Sequence, residues 1–337
     1  MSDAIKHFAF PVLIGDIGGT NARFALLSDE DAAIDRIPNL GTADFNTIGD
    51  AIAEALAERE AAPKTAILAL AGPITGDRVP LTNCDWIVEP KALIQRFDLD
   101  DVILLNDFEA QSLALPGLGP DDLDPIGSGN VTPTGARVVV GPGTGLGAGA
   151  LVHTRNMWVP IPGEGGHIDL GPVSRRDFEL WPHIELTFGR MSAETILSGS
   201  GLLRLYKGVC ALNGFPAPLD DEAHVTAAGL DGEDHGAVEA LDLFATYLGR
   251  FAGDLAMVFA AHGGVYLAGG IPVRILPALK SGTFRRAFLA KEPHADLLEG
   301  IATAVIVKRD AALAGITDFA RRPHGFGVEL GGRRWQS

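Results

Sequence analysis

The chain has 337 residues, and its 27 Lys+Arg against 43 Asp+Glu give a formal charge of −16. With 47% hydrophobic and 21% charged residues it is not a disordered polymer, and the acidic balance argues against duplex DNA or an anionic membrane as its main partner. Cys84 and Cys210 build neither a disulfide framework nor a Cys-rich metal site, and the longest mostly apolar stretch, 138–152, carries five glycines and is too short to span a bilayer.

In chain order, the apolar run 8–14 reads as a strand. It leads into Gly15-Asp16-Ile17-Gly18-Gly19-Thr20-Asn21 and a second strand at 22–27, a hairpin with a Gly-rich turn. No Ala-x-Ala site follows this run, so secretion is not expected, and two cysteines fit a reducing cytoplasm. The Ala/Glu/Leu-rich segment 50–60 predicts a helix. A buried strand follows at 65–70, ending at Ala71-Gly72-Pro73, then a helix at 91–97. The strand predicted at 102–105 runs into Asn106-Asp107-Phe108, with a helix at 109–115.

Between 116 and 136, glycine, proline and aspartate crowd together, marking a domain boundary. A second strand, Gly-turn and strand occupies 138–152. Helices are predicted at 175–188, 193–196, 201–212 and 237–261. The strand 265–268 ends in Gly269-Gly270, and helices near 273–279 and 309–322 follow. The tail 323–337 mixes glycine and arginine and is expected to be loosely held.

A weak internal repeat links the two halves. Shifted by 126 residues, Val12–Gly19 overlays Val138–Gly145, and Leu70-Ala71-Gly72-Pro73-Ile74 resembles Leu267-Ala268-Gly269-Gly270-Ile271. Two matches in the same order suggest a duplicated α/β domain with a cleft between the copies. Consecutive glycines let backbone N–H groups converge on one point, and such a nest binds phosphate oxygens. The alternative for either turn is a tight hairpin with no ligand; two turns at matching places favour phosphate. Asp16 beside the first turn adds a carboxylate for Mg²⁺, held through water.

No G-x-x-x-x-G-K-[ST] motif occurs. Gly145-x-Gly147-x-x-Ala150 mimics a dinucleotide fingerprint, but that motif must open a helix and here an apolar strand follows. Asp107, at the end of a buried strand, can accept a proton from a hydroxyl nucleophile or cap the next helix; on the residues alone the cap is the better supported. Glu164 and His167, in the glycine-rich loop 162–167, can each hydrogen-bond a polyol. A metal there has only Asp169 as a nearby third ligand. Glu194, early in a helix, can serve simply to complement its dipole.

Taken together, these motifs resemble bacterial ATP-dependent glucokinases, of the hexokinase/actin-like ATPase fold. The likeness runs from about Val12 to Arg322. It is carried by Gly-Asp-Ile-Gly-Gly-Thr-Asn-Ala-Arg (15–23), Pro-Ile-Thr-Gly-Asp (73–77), Leu-Thr-Asn (81–83), Asn-Asp-Phe (106–108), Gly-Thr-Gly-Leu-Gly (143–147), Pro-Gly-Glu-Gly-Gly-His (162–167), Ser-Ala-Glu (192–194), Leu-Ser-Gly (197–199) and Ala-Gly-Gly-Ile (268–271).

The resemblance implies an α/β, two-domain actin-like ATPase (ribonuclease H-like) fold. Its cleft would lie between a small domain, 1–116 with 309–337, and a large one, 117–308. It implies that Asp107 is the general base, and that Asn106, Asp107, Glu164, His167 and Glu194 bind the sugar hydroxyls. Gly15, Asp16, Ile17, Gly18, Gly19, Thr20 and Asn21, with Gly143, Thr144 and Gly145, would form two phosphate loops, and Gly269-Gly270 the adenosine side. ATP and Mg²⁺, a cytoplasmic homodimer and no nucleic-acid or membrane partner follow from the same likeness. Pro142 departs from the family's usual small residue and removes one backbone donor. A broader hexokinase is the nearest alternative. A sugar-responsive regulator would need a helix-turn-helix ahead of the first strand, and a filament protein would need no Glu164/His167 loop.

Overall fold

The computed structural model describes residues 7–82 and 84–337; Asn83, part of the Leu-Thr-Asn segment, lies outside them. The chain forms two compact units. One holds the residues up to Leu118 with Leu151–Pro162 and Arg309–Ser337; the other holds Gly119–Ala150 and Gly163–Lys308.

The first unit is built on one sheet, ordered Arg334–Gln336, Asp101–Asn106, Thr65–Leu70, Val12–Ile17, Asn21–Leu27 and Asp35–Arg36. Val12–Ile17, Thr65–Leu70 and Asp101–Asn106 run parallel, and Val12–Ile17 pairs antiparallel with Asn21–Leu27 as a hairpin. These parallel strands are buried almost throughout, which is why they read as unbroken apolar runs: both faces are covered. The strand period of two sends Leu13, Ile17 and Leu68 to one face with helices Ile48–Leu56 and Pro90–Phe97. It sends Val12, Ile14 and Ile67 to the other, with helices Asp107–Ala114 and Ala311–Arg321.

In the second unit, Leu146–Thr154, Arg137–Pro142, Val265–Leu267, Thr303–Ile306 and Leu123–Gly127 stand in that order. Arg137–Pro142, Val265–Leu267 and Thr303–Ile306 are parallel, and Leu123–Gly127 closes the edge antiparallel. The long helix His235–Phe259 supplies Phe244, Tyr247, Leu248 and Phe251 to the core, against helices Gly199–Asn213 and Thr283–Leu289. The internal repeat has a backbone counterpart: Gly72 and Gly269, matched in it, follow corresponding strands with φ of +133° and +92°, values that side-chain-bearing residues rarely adopt.

Several expectations are corrected. The first strand begins at Val12, after Pro11, which has no N–H for the ladder. The helix expected at 175–188 stops at Leu180, because Pro182 follows and the chain turns at Thr187–Arg190. That expected at 273–279 is split into Gly270–Arg274 and Leu276–Lys280, with Pro277 at the second start. Helices Glu222–Asp231 and Thr283–Leu289 and strands Leu123–Gly127, Met157–Gly163 and Thr303–Ile306 were not foreseen.

The tail is the largest correction. Arg334–Gln336 is a strand paired antiparallel with Asp101–Asn106, Trp335 opposite Val102. Trp335 is buried among the core side chains of that face, so the tail is not loosely held. Among the described residues, no helix is long and apolar enough to cross a membrane.

Candidate active site

Ile17, Leu70 and Asn106 stand side by side at the C-terminal ends of the three parallel strands of the first unit. The turn at 18–20, Ala71-Gly72 and Asn106-Asp107 therefore leave the sheet at one edge, where open α/β sheets bind ligands. The turn is tied down. Gly18 N–H donates to the Asn21 carbonyl at 2.9 Å, and Thr42 donates through N–H to Thr20 at 3.0 Å and through Oγ1 to Gly19 at 2.8 Å. Asn21 Oδ1 accepts from Asn39 at 2.9 Å. Gly15 and Ile17 lie within the strand, paired on both sides, and the Ile17 side chain is buried in the core.

Asp16 lies opposite Arg23 across the hairpin, and its Oδ2 accepts from Arg23 Nη1 at 3.0 Å. Arg23 also reaches Asp310 at 3.6 Å, which pairs with Arg36 at 3.2 Å. Burial pushes the Asp16 carboxyl above the usual carboxylate range, against the pull of Arg23. A hard carboxylate oxygen is the donor class Mg²⁺ takes. With one oxygen already on Arg23, Asp16 fits an ion held through water better than one bound directly.

Helix Asp107–Ala114 starts straight out of the strand, two residues earlier than predicted. Asn106 is its N-cap: Oδ1 accepts the N–H of Phe108 at 2.9 Å and of Glu109 at 3.2 Å. Glu109 Oε2 accepts the Asn106 N–H at 3.3 Å, completing a capping box. The capping duty weighed for Asp107 thus falls to Asn106. Asp107 Oδ1 accepts the Phe108 N–H at 2.9 Å. Glu109 is 1% exposed and bonds Arg333 through both oxygens, at 2.6 and 3.2 Å. Burial pushes its carboxyl up, against the pull of Arg333.

In the second unit, Gly143 N–H donates to the Gly145 carbonyl at 2.8 Å, and the Gly143 carbonyl accepts the Gly199 N–H at 2.8 Å. Gly199 opens the 15-residue helix Gly199–Asn213, so the turn holding Gly143, Thr144 and Gly145 abuts a helix N-terminus, which favours anions. Gly269 meets the same turn: a Cβ on it would lie 3.1 Å from the Pro142 carbonyl. Gly270 begins the next short helix.

Within the loop 162–167, Gly166 is buried, while Pro162, Gly163, Glu164 and His167 are exposed. A Cβ on Gly166 would fall 1.9 Å from the Leu146 carbonyl. Arg190 donates to the His167 carbonyl at 2.7 Å and pairs with Asp169 at 2.5 Å, and Ala193 N–H donates to Ile168 at 2.8 Å. His167 lies between two acids, Nε2 4.0 Å from Glu164 and Nδ1 3.9 Å from Glu194. Glu194 Oε2 accepts the Leu146 N–H at 2.8 Å, so it does more than complement a dipole. Asp169, the third ligand weighed for a metal at Glu164 and His167, is engaged by Arg190.

Each unit thus brings its own group together: Asp16–Asn21, Asn106 and Asp107 in the first, Glu164, His167, Glu194, Gly143–Gly145 and Gly269-Gly270 in the second. Arg23, Glu109, Arg190 and Arg333 also shape these groups; Arg23 lies inside the 15–23 motif, whereas the pairing of Arg190 with Asp169 and of Arg333 with Glu109 has no local signal in the sequence.

Solved structures of like fold include sugar kinases. A glucokinase from an Antarctic psychrotroph matches with a TM-score of 0.81 at 33% identity, over 91% of this chain and 98% of that one. A ROK family glucokinase from Streptomyces griseus, in complex with glucose and AMPPNP, matches with a TM-score of 0.62 at 23% identity, over 93% and 99%. The fold is therefore the two-domain actin-like ATPase fold of this class. The Glucokinase family model matches residues 13–323. A glucokinase of Rhizobium etli is 54% identical over 328 residues, 97% of this chain and 96% of the relative. The chain belongs to the bacterial glucokinase family of enzymes.

Proposed function

We propose that this protein transfers the γ-phosphoryl group of ATP to the 6-hydroxyl of D-glucose, with Asp107 as general base. The observation that carries the reading is that the strand Asp101–Asn106 ends at the sheet edge where the first Gly-turn also emerges, and Asp107 follows it directly. Names of relatives at 54% identity support glucose as acceptor, and the like-fold structure with glucose and AMPPNP supports ATP as donor.

In this reading Asn106, Asp107, Glu164, His167 and Glu194 bind the sugar hydroxyls. Asp107 accepts the proton of the 6-hydroxyl as its oxygen attacks the γ-phosphorus and the bond to the β–γ bridging oxygen breaks. General-base assistance of this kind is worth on the order of 10²–10⁴ in rate. Gly18 and Gly143 spend their N–H groups on closing the turns. That leaves Gly19, Thr20, Thr144 and Gly145 to meet phosphate oxygens, and Gly269-Gly270 to meet the adenosine. Bound Mg²⁺, near Asp16 and through water, would neutralise phosphate charge. Backbone donors and the ion explain how an acidic protein takes an anionic substrate.

We assign the small domain to 1–116 with 309–337 and the large one to 117–308, apart from 151–162, which group with the first unit. We infer a cytoplasmic homodimer, without nucleic-acid or membrane partners, whose product feeds glycolysis. Hydrogen bonds to single hydroxyls can reject an analogue lacking one by roughly 10⁴, so a hexose panel separates a glucose-selective enzyme from a broad hexokinase. Purified protein incubated with glucose and ATP-Mg²⁺ should yield ADP and glucose 6-phosphate in equal amounts; no turnover would refute the proposal.

A further inference from the structure

We propose that Arg333 and the C-terminal strand Arg334–Gln336 position the catalytic carboxylate: Arg333 clamps Glu109, and Glu109 closes the cap that orients Asn106 and Asp107. The inference rests on the reading of Asp107 as base. Arg333 touches no reacting group and is a positioning residue.

The linkage is continuous. Arg333 Nη1 donates to Glu109 Oε2 at 2.6 Å and Nη2 to Oε1 at 3.2 Å. The same Oε2 accepts the Asn106 N–H at 3.3 Å, and Asn106 Oδ1 holds the N–H groups of Phe108 and Glu109. Asp107 lies inside this box. Arg333 is itself fixed on several sides. Its carbonyl accepts the Leu104 N–H at 3.0 Å, and a guanidinium N–H bonds the Glu329 carbonyl. The next residue, Arg334, clamps Asp101, donating through Nε at 2.9 Å. Trp335 Nε1 donates to Asp77 at 2.8 Å, within the segment 73–77 that carries part of the family likeness. The tail therefore ties the segment 73–77 to the strand and helix that flank Asn106-Asp107.

A buried ion pair is seldom the most stabilising choice, because apolar residues of like volume often serve as well or better. What an apolar pair cannot do is accept the Asn106 N–H. Without Arg333, Glu109 is a carboxylate 1% exposed that has lost its cation partner. It then takes up a proton or moves toward water, and either change loosens the first helical turn. A displacement of about 1 Å at a reacting group costs on the order of 10² in rate.

The test measures kcat and KM for glucose and ATP in full-length Arg333→Met, Arg333→Lys, Glu109→Gln and the Glu109→Gln/Arg333→Met double variant, with melting and near-ultraviolet circular dichroism on each. Arg333→Met should lose on the order of ten- to a hundredfold in kcat while KM for ATP changes less than about threefold, with a cooperative melt above the assay temperature. Arg333→Lys should recover much of kcat, and the double variant should lose far less than the product of the two single losses. If Arg333→Met does not fold, Glu109→Gln carries the same kcat-against-KM test. A kcat within about twofold of wild type in Arg333→Met, or in Glu109→Gln where Arg333→Met does not fold, or losses that multiply independently, would overturn the proposal. Asp107→Asn is assayed in parallel. Near-wild-type turnover there removes the base assignment; an inactive Asp107→Asn beside an unaffected Arg333→Met removes only the positioning role.

Discussion

The Glu194 carboxylate accepts the backbone N–H of Leu146 at 2.8 Å, while its other oxygen lies 3.9 Å from His167 Nδ1. One side chain thus joins a sugar-binding candidate to the strand that leaves the second Gly-turn. Glu194→Ala should raise KM for both glucose and ATP, by on the order of tenfold or more each, whereas Glu164→Ala should raise mainly that for glucose. Steady-state kinetics with each substrate varied in turn checks this. An effect of Glu194→Ala on glucose alone would show that the link to the turn does not matter.

Gly166 tests the same seam by sterics. A methyl group there would meet the Leu146 carbonyl at 1.9 Å, so the loop must move away from the strand. Gly166→Ala should cost about 1–3 kcal/mol of stability and weaken glucose binding more than ATP binding. Chemical denaturation and glucose titration measure the two effects.

On the other unit, Gly315 lets helix Ala311–Arg321 approach helix Asp107–Ala114: a Cβ would lie 2.3 Å from the Ala110 carbonyl. Gly315→Val should therefore destabilise by about 2–4 kcal/mol and also lower kcat, because the helix pushed aside carries Asp107. Gly214, a helix C-cap with open space around a Cβ, is the control. Gly214→Ala should cost stability through its φ of +70° and leave kcat unchanged.

Asp177 sets an acid limit on stability. Burial works to raise its pKa, but N–H groups of Val173 and Ser174 and the hydroxyls of Ser174 and Tyr247 together hold it below the usual carboxylate range. A carboxyl depressed in the folded state stabilises above its unfolded pKa, near 3.9, and loses that contribution as pH falls through the folded value. Melting temperature should drop below about pH 4, and the drop should be smaller in Asp177→Asn, which should already be less stable at pH 7 by about 2–3 kcal/mol. Equal acid sensitivity in both proteins would exclude this source.

What could be read in advance follows from local chemistry. The hairpin turns, the strand Thr65–Leu70 and the Asn106-Asp107 strand end were legible because apolar runs stop at glycine or at a capping residue. The sequence reading offered Asp107 as cap because it stands just before the predicted helix; the helix begins two residues sooner, so Asn106 caps it. The tail strand was illegible. Arg334 meets Asp101 across 233 residues and Arg333 meets Glu109 across 224, and nothing local in a Gly/Arg-rich segment signals such pairing. The packing of Gly166 was likewise hidden, since glycine reads the same whether it frees a loop or makes room for a carbonyl.

Single-turnover phosphoryl transfer by Asp107→Asn with glucose and ATP-Mg²⁺ tests the general base most directly. Glucose should still bind, within about tenfold of wild type, while transfer slows by at least about a hundredfold. Transfer at a near-wild-type rate would contradict Asp107 as the base.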